Sequence, residues 1–185
     1  LSNLLDSRIK SVEIITGYYP SAADFDFLAF FKRHLRANRV ILHGAPSDHI
    51  EATQFGLLVH SKEKITDQKH CGIVSPAYFA INTDLFTESL HYNNCLHRKI
   101  SVDADGNIKN CPSLDQSFGN IRSITLEKAL MNEQFRKLWG INKDQIAVCQ
   151  DCEFRYMCTD CRAYTQDNGG LNKPVKCSYN PYEAK

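Results

Sequence analysis

Cys149, Cys152, Cys158 and Cys161 form a C-x2-C-x5-C-x2-C run, four thiols within thirteen residues. A chain can use such a run only by turning back on itself every few residues, because C-x2-C brings two sulfurs onto one centre across a tight turn. Long regular elements are excluded over this stretch. Four further cysteines, at 71, 95, 111 and 177, bring the total to eight. An even count could pair as disulfides, but dense disulfides serve small secreted domains that lack a core. With 185 residues and 43% hydrophobic content, this chain can bury a core without them. Metal ligation is the better account of the thiols.

Charge narrows the partners. With 22 basic and 21 acidic residues the net charge is +1, which gives no electrostatic footprint for nucleic acid or an anionic membrane. No run of about 18 apolar residues occurs. The opening residues, Leu1 to Asp6, have no basic region followed by an apolar core, so the expectation is a cytoplasmic protein. Leu1 is not an initiator Met, and the chain reads as a segment of a longer protein.

Residues 9–18 alternate and then run β-branched, which predicts a strand ending at Gly17 and Pro20. Ser21 is then expected to cap a helix whose inner face carries Phe27, Leu28, Phe31 and Leu35. Arg39 to His43 reads as a second buried strand, so the opening is a βαβ unit with parallel strands. Residues 47–54 read as a loop, 55–60 as another strand, and 61–69 as a charged connector. Residues 73–82, with Tyr78, Phe79 and Ile81, read as a strand. Residues 99–111 predict a hairpin turning at Asp105–Gly106. Phe118 to Ile121 reads as a loop, and Leu126 to Trp139 as one amphipathic helix ended by Gly140. The fold class is therefore α+β: an α/β segment over 1–69, then a loop-rich, cysteine-ligated domain over 70–185.

The C-x2-C-x5-C-x2-C run alone fits a structural zinc site, and eight thiols divide as readily into two iron–sulfur clusters. Spacing by itself leaves both open. The order of all the cysteines says more. Cys95, a turn at Asp105–Gly106, Cys111, Phe118-Gly-Asn-Ile121, then the central run with Cys161–Arg162, and finally Cys177 together resemble the seven-cysteine SPASM domain of radical S-adenosylmethionine peptide-modifying enzymes. The likeness covers roughly residues 70–182. His70-Cys71-Gly72, Lys99-Ile-Ser101, Ile108-Lys-Asn-Cys-Pro112, the run from Cys152 to Tyr156, and Cys177-x2-Asn-Pro-Tyr182 look most like the maturase of the grasp-with-spasm systems.

That resemblance implies two [4Fe-4S] clusters. The inner one would take Cys95, Cys111, Cys161 and, as fourth ligand, Cys71 (or His70 in its place). The outer one would take Cys149, Cys152, Cys158 and Cys177, with Cys161 crossing over. Many members have three residues between the last two central cysteines, where this chain has Thr159 and Asp160. The likeness also implies a (β/α) barrel whose closing part the βαβ unit resembles. Its partners would be a ribosomally made precursor peptide, an ATP-grasp ligase, and an electron donor such as flavodoxin or ferredoxin. The C-x3-C-x2-C motif that holds the S-adenosylmethionine cluster is absent from the sequence. This stretch alone is expected not to cleave S-adenosylmethionine, whether a radical module precedes it in a longer chain or is truly lacking. The chief alternative is a zinc-binding module that presents the precursor peptide. Arg155, Arg162 and Lys176 lie near the thiols in sequence and could tune them, or could be solvated surface residues. Tyr156, Tyr164, Tyr179 and Tyr182 are expected to pack over the second half of the site. The remaining histidines (34, 43, 49, 60, 91 and 97) read as structural or surface residues.

Overall fold

The computed structural model describes residues 9–72, 74–76, 79, 81–167 and 169–184. The chain divides into two compact units, residues 1–67 and 68–185. Its class is mixed α+β. No helix among the described residues is long and apolar enough to cross a membrane.

The first unit is a four-stranded sheet of β1 (Val12–Gly17), β2 (Ala37–His43), β3 (His49–Ala52) and β4 (Leu57–Ser61), in the order β1-β2-β4-β3. β1 and β4 run parallel to β2 on either side of it, and β3 runs antiparallel to β4. The expected βαβ unit is thus present, with α1 (Phe27–Arg33) as its helix. β2 holds the centre, so its Ala37, Val40 and Leu42 are buried together with Leu58 of β4 and Phe31 of α1. Asp26 caps α1 in place of the expected Ser21, accepting the Ala29 N–H at 2.8 Å. Ser21 instead lies in a preceding 3-10 turn, Pro20–Asp24. The helix ends before Leu35, which is 67% exposed. The segment read as a loop over 47–54 contains β3, an edge strand whose four residues are all exposed. With one side unpaired and no buried face, it needs no apolar alternation.

Phe31 has no exposed surface, and a Cβ added at Gly56 would meet its ring at 2.8 Å. Gly56→Ala is therefore expected to destabilise this unit by about 1–3 kcal/mol through overpacking. Urea unfolding followed by circular dichroism measures it, and an unchanged midpoint would refute that packing.

In the second unit Ile73 and Tyr78 of the expected strand lie outside the described residues, as do Leu1 to Asp6. Val74 makes an isolated parallel bridge to Cys177. Helix α2 (Thr83–Ser89) follows, capped by Asn82, which accepts the Leu85 N–H at 2.8 Å. The hairpin pairs β5 (Ser101–Val102) with β6 (Ile108–Lys109). Asp103 closes its turn by accepting the N–H groups of Asp105 and Asn107, and Gly106 takes the positive φ, 86°, that the turn requires. Phe118 to Ile121 is more than a loop, since the Ile108 N–H donates to Gly119 and the Phe118 N–H to Ile108, both at 2.8 Å. The single helix expected over 126–139 is broken into α3 (Leu126–Leu130), α4 (Glu133–Arg136) and a 3-10 turn, Lys137–Gly140. Asn132 causes the break by capping a new start, accepting the Gln134 N–H at 2.9 Å. Ala129 and Phe135 nevertheless bury against Ile108.

Candidate metal centre

Short turns aim the thiols. Cys149–Asp151 is a 3-10 turn in which the Cys152 N–H returns to the Cys149 carbonyl at 3.1 Å, and the Cys158 N–H returns to Phe154 at 2.9 Å. Val148, at φ 69°, enters this turn through the left-handed region, a conformation strained for a β-branched residue. At the other end of the unit the Cys71 N–H returns to Gln68 at 3.1 Å. Gly72 (φ 85°) follows, and a Cβ there would meet the Tyr164 ring at 2.7 Å and Cys161 Sγ at 3.1 Å. Only glycine permits the Cys71 turn to approach Cys161 this closely.

The eight thiols are all free of disulfides. Cys149, Cys158 and Cys161 are buried, Cys71 is exposed, and the rest are intermediate. Burial pushes the Cys95 thiol up to about 11, with Lys99 opposing and Cys161, Cys111 and Cys71 raising it further. Burial raises Cys161 as well, and its thiol neighbours are Cys111 and Cys71. Cys71 acts on both thiols. On the other side, burial pushes Cys158 up to about 12, and Cys177 and Cys149 act on it. Cys149 and Cys152 are raised first by burial, and each feels Cys177. Cys149, Cys152, Cys158 and Cys177 also line one cleft with Phe79, Phe154 and Tyr179. Cys71 and Cys111 thus neighbour both Cys95 and Cys161, while Cys149, Cys152, Cys158 and Cys177 share one cleft.

A buried ionic network lies between them. Asp160, flanked in sequence by the run that holds Cys158 and Cys161, accepts from Lys143 Nζ at 2.7 Å, from Arg162 at 2.6 Å and from Asn93 Nδ2 at 2.6 Å. Asn93 in turn accepts the Cys95 N–H at 3.1 Å, and Asn94 donates to the Cys158 carbonyl at 3.0 Å. Lys143 Nζ also lies 3.9 Å from Cys149 Sγ. Burial opposes its charge, but Asp160, with Cys158 and Cys149 adding to it, outweighs burial and pushes its pKa up. Arg162 has no exposed surface and donates to the Gly170 and Asn172 carbonyls, so it is an internal tie rather than a solvated residue. Arg155 bonds Asp144 and the Cys152 carbonyl, and Lys176 bonds the Lys69 and Cys71 carbonyls. Neither Lys143 nor Asn93 stands out in the sequence, because isolated polar residues carry no spacing signal.

Of the tyrosines, Tyr179 packs its ring edge-on to Phe154 at 5.2 Å and bonds Glu153. Tyr164 bonds Ser113 and Gln68, Tyr156 bonds Asp144, and Tyr182 bonds Asp151.

One zinc at about 2.3 Å from four thiolates holds the sulfurs about 3.8 Å apart. Among the described residues no three cysteine sulfurs lie within 4.8 Å of one another. A multi-iron cluster, in which each thiolate binds a different iron, suits the all-sulfur donor set.

Residues 94–153 match the SPASM family, described as an iron–sulfur cluster-binding domain. The matched segment contains Cys95, Cys111, Cys149 and Cys152. No curated protein and no solved structure gives a significant match. The similarity thus lies within the second unit and points to iron–sulfur cluster binding there.

Proposed function

We propose that the second unit holds two auxiliary [4Fe-4S] clusters, an inner one on Cys71, Cys95, Cys111 and Cys161 and an outer one on Cys149, Cys152, Cys158 and Cys177. The observation that supports this most is the sorting of the thiols into two quartets. Bound clusters would supply one-electron chemistry. Four thiolates per cluster leave no iron position for substrate, which suits electron relay or the positioning of a bound peptide.

The chain's own residues set the conditions. Lys143 opposes the thiolate charge at Cys149 and Cys158, which favours an added electron on the outer side. Phe79, Phe154 and Tyr179 limit water there. In this reading the unit serves a radical S-adenosylmethionine enzyme that modifies a ribosomally synthesised precursor peptide in a grasp-with-spasm system. Its partners would be an ATP-grasp ligase and a flavodoxin or ferredoxin donor. S-adenosylmethionine cleavage would need a C-x3-C-x2-C module outside residues 1–185.

Anaerobic reconstitution tests the proposal. The expected product is brown, with about eight iron and eight sulfide per chain. One or two tightly held zincs without sulfide would instead support a non-catalytic peptide-presenting module.

A further inference from the structure

We propose that His49, Glu51 and His60, in the first unit, form a second kind of metal site, one for a divalent cation of the zinc class. The antiparallel register of β3 and β4 sets His49 directly opposite His60. Glu51 follows two residues along β3, so it projects from the same face as His49. The two imidazoles stack at 3.9 Å with planes 16° apart. Their Nε2 atoms converge on one oxygen, Glu51 Oε1, at 3.1 Å from His49 and 3.3 Å from His60. These atoms form a three-residue group within 4.8 Å, the one such group of histidine, cysteine and carboxylate residues found among the described residues.

The separations fit a metal. With bonds of about 2.0–2.1 Å to each ligand, they correspond to N–metal–O angles of about 98° and 107°, close to tetrahedral. The stacked imidazoles would have to turn out of their parallel arrangement for both Nε2 lone pairs to meet one cation, while the backbone register already sets them side by side. Ser47 Oγ lies 3.4 Å from His49 Nδ1, where it can orient the ring through its remote nitrogen. His60 Nε2 is buried and makes no aligned hydrogen bond despite its approach to Glu51. A buried polar atom without a partner is costly, and a metal bond would satisfy it. Three protein ligands leave a fourth position, which faces solvent because the His49 and Glu51 side chains are 44% and 56% exposed. The site is therefore built to bind water or an exchangeable ligand, unlike the all-thiolate quartets. The histidines, eleven residues apart and unlinked by any motif, read as unrelated in the sequence.

The test uses the full chain, already loaded with iron under anaerobic conditions and dialysed against Zn2+. About one zinc per chain is expected in addition to the iron, and Zn K-edge EXAFS should show only nitrogen and oxygen neighbours at about 2.0–2.1 Å. His49→Ala and Glu51→Gln, both at exposed positions, should weaken zinc binding by more than the about 10–100-fold that loss of an orienting partner costs. Iron content and circular dichroism should stay unchanged. Three results would overturn the site: no zinc retained by the parent protein, which would leave a hydrogen-bonded His–Glu cluster only; zinc binding indifferent to both substitutions; or a sulfur shell at about 2.3 Å, which would put the zinc on the thiols. The first two leave the iron count as it is and the third is told apart by its sulfur shell, so failure of this site and failure of the cluster proposal are distinguishable.

Discussion

Cys152→Ala/Cys177→Ala is expected to retain about four irons per chain after anaerobic reconstitution, whereas Cys152→Ala/Cys161→Ala should retain close to none. The first pair removes two ligands from one quartet and spares the other. The second removes one ligand from each. Counting iron in the two double variants therefore reads the division of the thiols without assigning any spectrum. If the central run instead closed a site of its own, with Cys161 beside Cys152, the second variant would keep as much iron as the first. That outcome would sink the crossover of Cys161 to Cys71, Cys95 and Cys111.

Asp160→Asn should have the largest effect on folding of any change away from the thiols. Asp160 is the one anion of a buried trio whose side chains are 3% exposed at Asp160, 5% at Lys143 and none at Arg162. Asparagine keeps the shape and leaves two buried cations facing each other without their counterion. Breaking a buried ion pair from one side costs about 3–5 kcal/mol. Guanidinium unfolding of the iron-loaded protein, kept anaerobic, measures the loss. A change below about 1 kcal/mol would mean that the trio is not held by Asp160. Lys143→Met makes a useful contrast, since Asp160 keeps Arg162 and Asn93. Its expected signature is a lower reduction potential for the outer cluster, read by redox titration, because a cation beside Cys149 is gone.

Much of the first unit is legible from its residues. β1 and β2 are β-branched, and the intervening phenylalanines fall at helical spacing. The edge strand β3 is not legible: His49-Ile-Glu-Ala52 buries nothing, so burial leaves no pattern in it. The break between α3 and α4 escapes periodicity for a different reason. Ala129 and Phe135 still bury on one side of the chain, so the apolar spacing survives while Asn132 restarts the hydrogen bonding. In the second unit the cysteines announce themselves by number and order. Their surroundings do not, because the contact from Asn93 to Asp160 spans 67 positions and joins residue types that usually sit at the surface. His49 and His60 share that difficulty, since only the strand register makes them neighbours.

The bridge between Val74 and Cys177, reinforced by Lys176 on the Lys69 and Cys71 carbonyls, has a consequence for biogenesis. It joins the earliest thiol of the unit to the latest one synthesised. Cys71 gains its anchor from Lys176, and the outer quartet gains its last sulfur at Cys177. During translation neither pocket is finished until residues 174–177 have left the ribosome and folded back on 69–74. Metal loading is thereby deferred until the whole unit has been made, and a nascent fragment ending before Pro174 would offer exposed thiols to oxidation instead of a receptive site.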